Sequence, residues 1–80
     1  MSPESIREML NRQPFIPFVL HVSDGRSYVI TRPQLVFPGG GVTIVGLVRS
    51  VDSEFFDEPV IIANRHITSL DPIIEAQATA

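Results

Sequence analysis

The sequence predicts an α+β domain: an N-terminal helix packed on a small, strongly bent, five-stranded antiparallel β-barrel. Three observations carry this expectation. Ile6, Met9 and Leu10 recur at helical spacing near the start. Residues 18–31 then alternate with period two around Asp24-Gly25. Beyond them, short apolar runs are punctuated by Pro, Gly, Asn and Asp about every 8–12 residues, the rhythm of many short strands.

The helix is expected over 2–13. Ser2 suits the cap, Pro3 the first helical position and Glu4 the positive end of the dipole. Ser5 and Glu8 offer a second capping box one turn later. Pro14 disfavours helical dihedrals at Gln13 and ends the helix. In Phe18–Ser23, Phe18, Leu20 and Val22 face one way and Val19, His21 and Ser23 the other. A three-residue loop, Ser23-Asp24-Gly25, with Gly25 left-handed, sets Leu20 opposite Tyr28, Phe18 opposite Ile30 and Val19 opposite Val29. That register collects Phe18, Leu20, Val22, Tyr28 and Ile30 on one core face, whereas a two-residue loop mixes the faces. Arg32-Pro33 ends the return strand, and Leu35–Phe37 is a short extended piece. Gly39-Gly40-Gly41 turns the chain into a strand over 42–48. Residues 49–59 read as a loop or hairpin tip, Val60–Ile62 as a strand, Asn64–His66 as a tight turn and Ile67–Leu70 as the last strand. The domain is expected to span 1–74, with 75–80 a disordered tail.

Pro14-Phe15-Ile16-Pro17 has the spacing of a proline-rich docking ligand. Its place between a capped helix and a patterned strand favours a different role, a stiff elbow that sets the angle of the helix. Burying each of Phe15 and Phe18 stabilises a thin core by about 2 kcal/mol.

Bulk properties exclude several classes. Eighty residues make one domain, and a chain this short buries roughly 60–65% of its unfolded surface. With no cysteine there is no disulfide and no thiolate zinc site. Six arginines, no lysine and nine acids give a net charge of −3, against the basic surplus of most nucleic-acid binders. No apolar run reaches the ~18 residues of a membrane span. The start, MSPESIREML, lacks a basic stretch followed by an apolar one, so no secretory signal is read there and a cytoplasmic location is expected.

Candidate chemistry is sparse. His21 and His66 stand at no recognised ligand spacing, so neither metal nor cofactor is expected. The Gly39–Gly41 run lacks the lysine and the following helix of a phosphate loop. His21, Ser23 and Asp24 lie too close along one hairpin to surround a pocket as a catalytic triad, and no catalytic residue is assigned. Phe55-Phe56, among Asp52, Glu54, Asp57 and Glu58, form a candidate hook for a protein partner. The alternative places one ring in the core and the other on an edge. Arg26, Arg32, Arg49 and Arg65 would face one surface of a barrel, and an arginine beside Tyr28 suits phosphate or base contact, so Arg26 and Arg65 are candidate RNA contacts. The alternative pairs these arginines with nearby acids.

Two resemblances follow from quoted motifs. "PFIPFVLHVSDGR", a later proline and the ending Ile67-Thr68-Ser69-Leu70-Asp71-Pro72 resemble a family of short uncharacterised bacterial proteins with an N-terminal helix, a PFxPFxxxxxDGR pattern and an I-x-x-[IL]-x-P strand. That family implies an architecture and no activity. The helix, a first strand ending in "SDGR" and the closing "VIIANRHITSLDP" are similar at fold level to Sm/LSm (Hfq-like) barrels, related in shape to SH3-like ones. This likeness implies ring assembly through outer strands and RNA contact at Arg65-His66. Arg32-Pro33-Gln34-Leu35 stands where the Asp/Asn signature of that family is expected.

The function expected from these features is that of a small non-enzymatic binding or assembly module, acting through strand-edge self-association or on a protein partner. An LSm-like RNA binder and an enzyme with a site shared between subunits are the alternatives.

Overall fold

In a computed structural model, which describes residues 1–49 and 55–74, the Ser2 side chain accepts from the Ser5 N–H at 3.2 Å and opens helix α1, Pro3–Leu10. The helix stops three residues short of the expected end. Beyond Leu10, which packs half-buried against the core, Asn11, Arg12 and Gln13 are polar and exposed, and Asn11 leaves helical geometry with its N–H on the Arg7 carbonyl. Pro14 is exposed and Phe15 half-buried, its ring edge-on to Phe18 at 6.1 Å between centroids. The Pro17 carbonyl accepts from the Ile73 N–H at 2.8 Å. The Pro-Phe stretch is thus tied into the fold as an elbow.

Strands β1 (Phe18–Val22) and β2 (Ser27–Ile30) pair in the expected register. Gly25 sits at φ +96°, and its N–H donates to the Val22 carbonyl at 3.0 Å. Phe18, Leu20, Val22 and Ile30 are buried and Tyr28 is half-buried against them. A 3₁₀ turn over Pro33–Leu35 then delivers β3 (Val36–Pro38) to β4 (Val42–Leu47), which pairs with β5 (Glu58–Ala63). A second 3₁₀ turn, Asn64–His66, leads into β6 (Ile67–Pro72), which returns to β1.

The α+β class holds, with one correction to the expected barrel. Among the described residues there are six strands in two three-stranded antiparallel sheets, ordered β2-β1-β6 and β3-β4-β5, and these are not closed into one five-stranded barrel. The piece around Val36 is a true strand, because Val36 packs inward opposite Val45. β5 starts at Glu58 rather than Val60, and β6 runs on to Pro72. The expected loop lies partly outside the described residues, at 50–54, as does the expected tail at 75–80. One core joins helix and sheets: Ile6 and Met9 from α1, Phe18, Leu20, Ile30 and Ile67 from the first sheet, Val36, Val45 and Ile62 from the second.

The ladders fix where each proline points. The Gly39 N–H donates to the Val42 carbonyl and the Asn64 N–H to the Gly41 carbonyl. By antiparallel alternation, Val42 and Ile44 bond towards β3, and Thr43 and Val45 towards β5. Pro38, opposite Thr43, and Pro59, opposite Gly46, therefore lack an N–H only on the side facing away from β4. The same argument from Val22 N–H on the Arg26 carbonyl turns the missing donor of Pro72, opposite Phe18, away from β1. Three of the four sheet edges carry a proline where an added strand would need a donor.

Asn64 fixes the start of the crossing from the second sheet to the first. It is buried, accepts from the Thr43 hydroxyl at 2.7 Å and donates from Nδ2 to the Gly39 carbonyl at 2.7 Å. Replacing it with alanine strands the buried Thr43 hydroxyl and the Gly39 carbonyl, so Asn64→Ala is expected to cost about 2–3 kcal/mol in urea unfolding. Asn64→Asp, unable to donate to Gly39, is expected to rescue little of that. Gly25→Ala meets no atom within 4 Å, so its cost is conformational alone, about 1 kcal/mol.

Candidate functional site

The outer faces of the two sheets differ in kind. On the first, His21, Ser27, Ser69 and Asp71 lie outward, and the His21 Nε2 meets the Asp71 carboxylate at 2.9 Å. On the second, the inward residues Thr43, Val45 and Ile62 are buried, which turns Phe37, Ile44 and Ile61 outward. The register places these three side by side across the sheet: Phe37 opposite Ile44, and Ile44 opposite Ile61. Phe37 is 48% exposed, Ile61 64% and Val42, on the same face, 44%. No residue of β3, of β4 or of 59–63 carries a charge.

Phe56 extends this face. Gly46 is the outward residue of β4 next to Ile44, and a Cβ built on it would stand 2.7 Å from Phe56 Cβ. The missing side chain is what lets the ring lie on the strand. Phe56 remains 40% exposed and Phe55 77%, so neither enters the core. Of the acids expected to rim this pair, Asp57 accepts from the Arg49 N–H at 2.7 Å and Glu58 is paired with the Arg49 guanidinium. Asp52 and Glu54 lie outside the described residues.

The candidate RNA contact is brought together only in part. Arg26 and His66 line one recess of about 290 Å³ with Ser23, Asp24, Ile61 and Ala63. Arg26 is committed within it: Nε donates to Asp24 at 2.7 Å, Nη1 donates to the Tyr28 hydroxyl at 3.1 Å, and the guanidinium carbon lies 6.0 Å from the Tyr28 ring centroid. The Arg26 backbone N–H, bonded to the Asp24 carboxylate at 3.0 Å, holds that carboxyl below its ordinary range, and the guanidinium adds to the effect. The Asp24 carboxylate in turn raises the Arg26 guanidinium above its ordinary value.

His66 shares a contact with Ser23, Nδ1 to Oγ at 3.2 Å, within reach for a nucleophile and a base. Arg65 Nε–H faces the other ring nitrogen, 3.5 Å from Nε2. The His66 carbonyl also accepts from the Ser23 N–H at 2.8 Å, so the contact staples the β1–β2 loop to the second 3₁₀ turn.

Two larger recesses, of about 410 and 400 Å³, offer little chemistry. The first lies between β2 and β4, lined by Val29, Leu35, Val45 and Leu47 with Arg32 and Thr31. The second lies between α1 and the first 3₁₀ turn, with Arg7 and Asn11. Neither lining includes a carboxylate or an imidazole. Among the described residues no three His, Cys, Asp or Glu converge as metal ligands, and no helix is long and apolar enough to cross a membrane. Compared with protein-family models, with curated proteins and with solved structures, the chain matches none.

Sequence reasoning missed the Phe37–Ile44–Ile61 row. Its signal was an absence: β4 and β5 show no alternation of polar with apolar residues, so both faces were apolar from the start.

The Asp24 contact generates a pH prediction. A carboxyl held low in the folded chain stabilises the hairpin above the ordinary carboxylate range. That contribution is lost as pH falls through the lowered value. Amide exchange at Gly25 and Arg26 is therefore expected to speed up on acidification beyond the intrinsic trend, and Asp24→Asn to remove this extra acid dependence. Equal acid dependence in both proteins would refute the assignment.

Proposed function

We propose that this chain is a small non-enzymatic binding or assembly module whose working surface is the outer face of the β3-β4-β5 sheet. The observation that carries the reading is the uncharged row Phe37–Ile44–Ile61, extended by Val42 and Phe56. Together these side chains expose on the order of 400 Å² of apolar surface, the size at which a patch on a monomer is often functional. The prolines at three sheet edges turn the reading away from strand addition and towards a face. Both sheets share one core, which supports a small barrel-like module of SH3-like or LSm-like kind, and the family likeness of the Pro-Phe and "DGR" motifs adds architecture to that reading.

The rival is an RNA contact at Arg26, Arg65 and His66. Its charge is reduced locally by Asp24 and globally by a net of −3. An enzyme site shared between subunits has less support, because the Ser23–His66 contact lies exposed on the surface.

The test is site-specific. A photo-reactive phenylalanine analogue is placed at Ile61, and as a control at Val29, an equally exposed residue of the first sheet. Cells expressing the full chain are irradiated. Position 61 is expected to give a discrete protein adduct by mass spectrometry, and position 29 none. Adducts of equal yield, or none at 61, overturn the reading. A salt-dependent gel shift with single-stranded RNA, lost in Arg65→Ala, hands the assignment to the rival.

A further inference from the structure

Resting on the reading of this face as a binding surface, we infer that its occupant is a second copy of the same chain, packed sheet to sheet about a two-fold axis along β4 through Ile44.

The register makes the face self-complementary. Phe37, Ile44 and Ile61 stand on three neighbouring strands, with Ile44 in the middle. A two-fold axis along the central strand exchanges left and right. Phe37 of one copy then lies over Ile61 of the other, Ile44 over Ile44, and Ile61 over Phe37. Each large ring meets a smaller aliphatic group, which suits two sheets packed about 10 Å apart. Charge permits the contact. Each chain carries net −3, yet β3, β4 and 59–63 hold no charged residue; Asp24 and Arg26, which share a recess with Ile61, are paired with each other, and Glu58 is paired with Arg49. The area sets the strength. Two such faces cover roughly 800 Å² of apolar surface before any rim is counted, below the ~1,000 Å² of a standard specific interface and in the range of weak, transient ones.

Edge pairing is disfavoured at three of the four edges, where Pro38, Pro59 and Pro72 each remove an outward donor, and β2 is the one edge without a proline. An interface this small predicts a reversible dimer rather than an obligate one. It needs no residue from 50–54 or 75–80.

The experiment is light scattering on the full chain at physiological salt, with two charge variants, Phe37→Lys and Ile61→Glu. Both positions lie outside the core, so both variants are expected to keep the urea midpoint of the parent chain. The parent chain should show an about twofold rise in weight-average mass between roughly 1 µM and 1 mM. Each variant alone should remain monomeric, because each homodimer buries two charges against apolar partners. A one-to-one mixture should regain the doubled mass. In the mixed pair the introduced lysine of one chain lies over the introduced glutamate of the other, and on the opposite side Ile61 lies over Phe37 as in the parent. A parent dimer that survives Ile61→Glu, or a mixture that stays monomeric, overturns the packing. A parent chain that is monomeric throughout excludes the second copy. If the photo-adduct at Ile61 then contains a different protein, only this inference fails and the binding face stands.

Discussion

The structure depends on one buried polar knot, Asn64. At that residue the chain leaves the second sheet and enters the first, and the passage is fixed by bonds to two other segments. The Thr43 hydroxyl reaches it from β4, and the Gly39 carbonyl from the β3–β4 turn. Both bonds are short and shielded, so leaving either group without a partner is expensive. The consequence is geometric. With Asn64 pinned, Ile62 two residues before it and Ile67 three residues after it both reach the common core. Ile61 is then obliged to face the other way. The outward orientation of the row follows from how the crossing is held.

The two sheets resolve the shortage of core in an 80-residue chain differently. The first has one dry and one wet side: Phe18, Leu20 and Val22 inward, His21, Ser69 and Asp71 outward. The second is dry on its inner side and nearly as apolar on its outer side. A thin core gains nothing from the outer residues unless something covers them, since their exposed area contributes no transfer free energy in the monomer. Residues that do not stabilise the fold, gathered in register across three strands and free of charge, are better explained by contact with another surface than by packing within this one.

How much was legible in the sequence follows from where polar residues were available to break symmetry. In β1 and β2 they alternate with apolar ones, and Gly25 permits one loop geometry, so register and core face were readable to the residue. The Ser2 cap and the Ile6–Met9 face were readable for the same reason: position-specific chemistry beside a clear period. In "VTIVGL" and "PVIIA" nothing polar marks inside from outside except Thr43, and that residue is buried. Neither the outward row nor the count of strands could be read from such runs. Asn64 read as a turn residue, because its role depends on Thr43 and Gly39, more than twenty positions away in sequence. His66 was placed correctly at a turn, while its contact with Ser23, 43 positions earlier, needed the fold.

Edges and faces also differ in what association through them does. An edge strand that accepts a neighbour through a head-to-tail contact leaves its other edge open, so growth continues into rings or filaments. A face that packs on its own copy about a two-fold axis is used up in a single step. Pro38, Pro59 and Pro72 close the first route at three edges, while Phe37, Ile44 and Ile61 leave the second open. A small domain that must expose apolar surface to do its work is safest when that surface has only one closed way to be covered. On the proposed reading of this chain, three edges that carry a proline beside an uncharged outer face fit that requirement.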